Sequence, residues 1–99
     1  MTSDKFIDHV LKTNGYQFQA MICNEEMAEL AKELSKYARG IGDREHVAEE
    51  IADVILCIRE MCKVFDVDAL EIEQRIKGKI DRYFEVEDKN AKVRKKAKR

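Results

Sequence analysis

The sequence predicts an all-α protein built from four helices. The chain contains no proline and only four glycines, so long stretches have nothing that would interrupt a helix. Apolar residues recur at the three- and four-residue spacing of an α-helix. Turn signals at residues 14–15 (Asn-Gly), 40–42 (Gly-Ile-Gly) and 66–68 (Asp-Val-Asp) divide the chain into four segments. A length of 99 residues fits one domain with one core.

The first two segments have clear helix boundaries. Helix 1 is expected from about Asp4 to Lys12, with Ser3 or Asp4 as its N-cap. Helix 2 is expected from about Tyr16 to Arg39. The apolar positions that share one face are Phe6, Ile7, Val10 and Leu11 in helix 1, and Ala20, Cys23, Met27, Leu30, Leu34 and Ala38 in helix 2. These two stripes are predicted to face the core.

The last two segments are read in the same way. Helix 3 is expected to begin at Asp43 or Arg44, with Asp43 as N-cap, and to end near Phe65. Helix 4 is expected to open with a capping box made by Asp68 and Glu71, and to fray near Glu87. The predicted apolar stripes are Val47, Ile51, Val54, Ile55, Ile58, Met61, Cys62 and Phe65 in helix 3, and Ile72, Ile76, Ile80, Tyr83 and Phe84 in helix 4.

The net charge of −1 conceals two unlike parts. Residues 1–88 carry all 20 acidic residues, whereas residues 89–99 (KNAKVRKKAKR) are strongly basic and have no acid. We therefore divide the chain into a helical domain, 1–88, and a basic tail, 89–99, that is expected to be disordered because like charges repel. The tail lacks aromatic residues and the body is acidic, which disfavours nucleic acid as a partner.

The composition also bears on compartment. No apolar run approaches the ~20 residues of a membrane span, and the N-terminus lacks the basic and apolar pattern of a secretory signal. The cysteines, Cys23, Cys57 and Cys62, are odd in number and match no zinc-site spacing. We expect a cytoplasmic protein that does not associate with membranes.

Five carboxylates on helices 2 and 3 are the main candidates for chemistry: Glu25, Glu26, Glu29, Glu50 and Asp53. Glu26/Glu29 and Glu50/Asp53 are both spaced i,i+3, so each pair projects from one side of its helix. If the helices pack antiparallel across the loop at 40–42, the carboxylates converge. A hard divalent cation would relieve their repulsion, and Mg²⁺ suits oxygen ligands that work together with phosphates. Glu49 and Glu60 are read instead as solvated charges.

These residues resemble a known family. The segments Asn24–Leu30 (NEEMAEL) and Glu50–Asp53 (EIAD) are similar to the E-E-x-x-E and E-x-x-D signature of the MazG-like, all-α nucleoside triphosphate pyrophosphohydrolases. The similarity extends over roughly residues 15–85 and includes Gln19, the Leu34–Tyr37 segment and Lys79–Arg82. Helix 1 and the basic tail lie outside it.

The resemblance implies an enzyme that cleaves an NTP or dNTP between its α and β phosphates, giving a monophosphate and pyrophosphate. It implies a four-helix MazG-like bundle completed as a homodimer or a dimer of dimers. By position in the motif, Glu26, Glu29, Glu50 and Asp53 would hold Mg²⁺, with Mn²⁺ as a substitute, and Glu25 and Glu26 would be catalytic. Glu25 would ligate or orient the attacking water. The substrate-binding candidates are Lys79, Arg82, Lys36, Gln19 and Phe18.

Homo-oligomerisation has support from the residues as well. Helix 2 has apolar residues on two opposed faces, with Phe18 and Ile22 opposite its core stripe, and one small chain cannot cover both.

Two other functional classes remain open. A di-iron carboxylate bundle would need a His three residues after a Glu in two helices, which neither acidic motif has. The alternative with more support is a non-catalytic, acidic helical interaction protein whose basic tail contacts nucleic acid. Such a protein would tolerate Glu50→Gln and Asp53→Asn, whereas an enzyme would lose Mg²⁺-dependent pyrophosphate release.

Overall fold

The computed structural model describes residues 1–97, and this part of the chain folds into α-helices without a β-strand. The helices are α1 (Ser3–Asn14), α2 (Tyr16–Ala38), α3 (Arg44–Val64) and α4 (Ala69–Ala97). The predicted all-α class is confirmed, while a bundle completed by homo-oligomerisation stays a prediction. Within residues 1–97, no helix combines the length and the apolar character needed to cross a bilayer.

Side chains cap three of the helices. Asp43 accepts a hydrogen bond from the Glu45 backbone N–H at 2.8 Å, and Asp68 accepts one from Glu71 at 2.8 Å, as the sequence predicts. The predicted cap of α1 is wrong. Thr2, not Ser3 or Asp4, accepts from the backbone N–H of Lys5 at 3.2 Å, because its extended backbone places the hydroxyl over the first turn.

The chain divides into two compact units. Residues 1–66 form the first unit, in which α2 and α3 make the main helix–helix contact and α1 packs against both. The second unit begins at Val67 and contains α4.

A tight loop connects α2 to α3. Gly40 has φ = +80°, a left-handed conformation that favours glycine, and its N–H donates to the carbonyl of Tyr37 at 3.0 Å. Three pairs of residues are neighbours across the two helices: Gln19 and Glu60, Cys23 and Cys57, and Glu26 and Asp53. In these pairs the residue number increases along α2 while it decreases along α3. The two helices are therefore antiparallel, as the carboxylate hypothesis requires.

The core of the first unit is small. Ile7, Cys23, Val54 and Cys57 are its buried apolar residues. Several positions predicted to face the core are instead exposed in the single chain, namely Phe6, Met27, Leu34, Ala38, Ile51, Ile55, Ile58 and Phe65. Helix α3 is apolar on two sides, and periodicity alone does not tell which side meets α2.

Helix α4 is longer than predicted. It does not fray near Glu87 but continues to Ala97, so residues 89–97 of the basic tail are helical rather than disordered. Lys, Arg and Ala favour helix, and cations near a helix C-terminus interact well with the helix dipole. Arg94 also lies 3.9 Å from Glu87 across two turns. The last two tail residues, 98 and 99, lie outside the described residues.

Candidate metal centre and adjoining cleft

Three of the five predicted carboxylates meet between α2 and α3. Oxygens of Glu26, Glu50 and Asp53 all lie within 4.8 Å of one another. The antiparallel packing brings Glu26 beside the i,i+3 pair of α3, as the spacing predicts. We call these three residues the acidic cluster.

Within the acidic cluster, Glu50 is the most confined. Its Oε2 atom is buried, and no hydrogen-bond donor among residues 1–97 reaches it. Glu26 is half-buried and Asp53 is exposed, so the acidic cluster is open to solvent on one side. A buried carboxylate oxygen without a partner is costly, because it loses water and gains nothing in return.

The surroundings disfavour ionisation of two of these groups. Burial, followed by the charges of Asp53 and Glu50, raises the pKa of Glu26. Burial also raises the pKa of Glu50, with further contributions from Asp53, Glu29 and Glu33. In both cases the ionised form is desolvated and close to like charges.

Glu25 and Glu29 are not part of the acidic cluster. Glu29 is exposed, and its charge acts on both Glu26 and Glu50. Glu25 is exposed and lies outside the set of mutually close oxygens. Sequence reasoning missed Glu33, whose charge also acts on Glu50. The missed signal was its position one turn beyond Glu29 on the same side of α2.

A cleft of about 230 Å³ adjoins the acidic cluster. Glu26 and Asp53 belong both to its wall and to the acidic cluster. The other lining residues are Phe6, Val10, Asn14, Gln19, Ile22, Leu56, Cys57 and Glu60. Helix α1, which lies outside the MazG-like resemblance, thus supplies part of the wall.

Gln19 and Glu60 form a buried polar contact in this cleft. Glu60 is only 3% exposed and accepts a hydrogen bond from Gln19 Nε2, while Gln19 Oε1 accepts from Asn14 Nδ2 at 2.8 Å. The prediction that Glu60 is a solvated charge is therefore wrong. Glu60 sits on the side of α3 that faces α2, and the Gln19 amide replaces part of the water it loses.

Two cysteines lie next to this contact. Cys23, Cys57 and Glu60 are all buried, with potential ligand atoms within 4.8 Å of one another. However, burial raises the pKa of the Cys57 thiol to about 12, and it also raises that of Cys23. Both thiols are protonated at neutral pH, and Cys23 Sγ donates to the Cys57 carbonyl at 3.5 Å. These features favour packing over metal binding.

The predicted substrate-binding residues are distributed over several surfaces. Gln19 lines the cleft, whereas Phe18 is 54% exposed and is not among the residues of its wall. Lys36 lies 3.5 Å from Glu33 in an ion pair. Lys79 and Arg82 lie on α4, in the second unit, where they share an exposed surface with Tyr83 and Val86.

Comparisons of the chain with protein-family models, with curated proteins and with solved structures found no match. The similarity to the MazG-like family therefore depends on the residues of the two acidic motifs.

Proposed function

We propose that the protein is a Mg²⁺-dependent nucleoside triphosphate pyrophosphohydrolase that acts in the cytoplasm. The observation that carries the proposal is the buried, unpartnered Oε2 of Glu50, which lies within the acidic cluster. Support also comes from the likeness of residues 24–30 and 50–53 to the MazG-like motifs. Three free cysteines suit the reducing cytoplasm.

The donor set of the acidic cluster fits a hard cation. In the described part of the chain, no Lys or Arg forms an ion pair with Glu26, Glu50 or Asp53. Carboxylate oxygens are the ligands that Mg²⁺ takes together with water and substrate phosphates, and Mn²⁺ is an acceptable substitute. Glu26, Glu50 and Asp53 would hold the ion, and Glu29 would add a ligand or negative charge.

Each residue then has a defined part in the reaction. When bound, Mg²⁺ supplies positive charge to the substrate phosphates. Glu26 and Asp53 border the cleft, so phosphates bound at the acidic cluster would lie beside it. The resemblance implies that Glu25 orients the attacking water, and that Lys79 and Arg82 bind phosphate. If Lys79 and Arg82 bind phosphate, replacing either residue with Gln should raise KM.

We further propose that the enzyme works as a homo-oligomer, a dimer or a dimer of dimers. Three isoleucines on α3 support this: Ile51, Ile55 and Ile58 are 42%, 44% and 49% exposed. Their i, i+4, i+7 spacing makes one apolar strip along the helix. A second copy of the chain would cover a surface that a single chain leaves in water.

The decisive experiment incubates the full chain with a panel of NTPs and dNTPs and Mg²⁺, and identifies the products by mass. We expect a monophosphate and pyrophosphate, with no turnover when EDTA replaces Mg²⁺. Glu50→Gln should lower kcat/KM by at least about 100-fold, because a lost ligand costs at least as much as a lost ligand-orienting group.

Glu49→Gln is the matched control, since it removes one charge from an exposed neighbour on the same helix. It should retain nearly full activity. Release of a diphosphate and phosphate, or equal activity of the two variants, would refute the proposal.

A further inference from the structure

The hydrogen bonds at Glu60 run in one direction. Asn14 Nδ2 donates to Gln19 Oε1, and Gln19 Nε2 donates to Glu60. An ionised carboxylate has no hydrogen to donate and has about four acceptor positions on its two oxygens. The chain of donors therefore ends on a carboxyl oxygen of Glu60, and Glu60 belongs to the wall of the cleft.

The Gln19–Glu60 contact and the acidic cluster are two levels of the same helix pair. Gln19 precedes Glu26 on α2 by seven residues, and Glu60 follows Asp53 on α3 by seven residues. Seven residues are two turns, or about 10 Å along a helix axis. The cleft thus has the acidic cluster at one end and Glu60 at the other, about 10 Å apart along the helix axes.

The cleft also has an apolar lining. Its walls include the apolar side chains of Phe6, Val10, Ile22 and Leu56. Its volume of about 230 Å³ is below the ~300–1,000 Å³ typical of pockets for larger ligands, so it fits one heterocycle better than a whole nucleotide. Apolar walls with one polar end are what a nucleobase requires, since its faces are apolar and its edge is polar.

We propose that Glu60 recognises the base by accepting hydrogen bonds from its edge, and that the preferred substrates carry guanine. Guanine presents two adjacent donors, N1–H and the N2 amino group, which match the two oxygens of a carboxylate. Thymine and uracil place carbonyl oxygens on both sides of their single N–H, and these repel a carboxylate. This assignment rests on the proposed function for the phosphate end of the cleft.

The test measures base preference separately from hydrolysis. Binding of guanosine monophosphate and thymidine monophosphate to the full chain is measured by titration calorimetry, and kcat and KM are measured for dGTP and dTTP with Mg²⁺. We expect the wild type to favour guanine by at least about tenfold in affinity, the discrimination of a good paired contact. Glu60→Gln should remove that preference, because its amide offers a donor where guanine also has one.

The Glu60→Gln variant is expected to fold, since its amide oxygen can still accept from Gln19. Its melting temperature checks this. Glu49→Gln serves as the control: it removes an exposed carboxylate from the same helix, outside the wall of the cleft, so it should keep the guanine preference.

The outcomes separate the two proposals. A guanine preference that depends on Glu60, without any triphosphate hydrolysis, would support base recognition and overturn the proposed function. Hydrolysis with equal affinity for guanine and thymine nucleotides, or with a preference unchanged by Glu60→Gln, would overturn base recognition and leave the proposed function in place. Absence of binding and of hydrolysis would overturn both.

Discussion

Gln19 of α2 donates a hydrogen bond to Glu60 of α3, and both side chains are buried, at 4% and 3% exposure. A carboxylate inside a small helical protein is tolerated only when other groups replace its water. The amide of Gln19 does so for one oxygen of Glu60. Both residues also line the cleft.

The first prediction concerns this contact. Gln19→Leu should lower the free energy of unfolding by about 1–3 kcal/mol, because Glu60 loses its hydrogen-bond donor while it stays buried. Urea denaturation monitored by circular dichroism measures the change. The double variant Gln19→Leu/Glu60→Leu should recover part of the loss, since both polar partners are then gone. A double variant less stable than either single variant would contradict this explanation.

The second prediction is a pH dependence. The pKa values of Glu26 and Glu50 are raised above the ordinary 4.5, chiefly by burial and then by neighbouring carboxylates. The folded state therefore holds these protons more tightly than the unfolded chain does. Their contribution to stability is complete below pH 4.5 and is lost as pH rises through the raised values. This loss of stability should contribute to the pH dependence of the melting temperature of the metal-free protein.

Glu50→Gln isolates the effect, because its side chain stays neutral at every pH. Without metal, the melting temperature of the variant should increase relative to that of the wild type as pH rises from 4.5 towards neutrality. Added Mg²⁺ should stabilise the wild type at neutral pH and have little effect on the variant. A difference between the two proteins that stays constant with pH would argue against repulsion in the acidic cluster.

The third prediction concerns association. Light scattering should give a mass of two or four chains of 11.6 kDa at micromolar concentration. Ile55→Lys should shift the protein towards the monomer, because it places a charge in the middle of the exposed isoleucine strip. Ile55→Val, which keeps the strip apolar, should retain the wild-type mass. A monomeric wild type would rule out the proposed assembly.

The fourth prediction tests the loop between α2 and α3. A Cβ atom on Gly42 would lie 2.6 Å from the backbone nitrogen of Tyr37 and 2.7 Å from its Cα. Displacing the backbone atoms of a helix is energetically unfavourable, so Gly42→Ala should lower the free energy of unfolding by about 1–3 kcal/mol. Thermal unfolding measures the loss. Gly78→Ala is a useful contrast, because nothing lies within 4 Å of the added carbon and alanine favours helix.

The sequence predicted the boundary between α2 and α3 and the convergence of Glu26, Glu50 and Asp53. The glycine turn at 40–42, with the capping residue Asp43, determines where α2 ends and α3 begins, and local chemistry is enough to read both. Given an antiparallel pair, the i,i+3 spacing of Glu50 and Asp53 brings them to Glu26. These features depend on short-range rules, which a single sequence contains.

The cleft was not predicted from the sequence. Glu60 was expected in solvent because a charged residue usually lies there, and its partner Gln19 is distant in sequence. The isoleucine strip of α3 was expected in the core because the helix has two apolar sides. Which side faces α2 depends on how the two helices pack against each other, and the apolar periodicity of the sequence does not indicate it.

The equal seven-residue offsets on α2 and α3 have one mechanical consequence. The acidic cluster and the Gln19–Glu60 contact both depend on a single alignment of the same two helices, which the tight loop at Gly40 maintains. If α3 slid along α2 by one turn, both ends of the cleft would come apart together. A substitution in this loop should therefore alter the geometry of the acidic cluster and of the Gln19–Glu60 contact together.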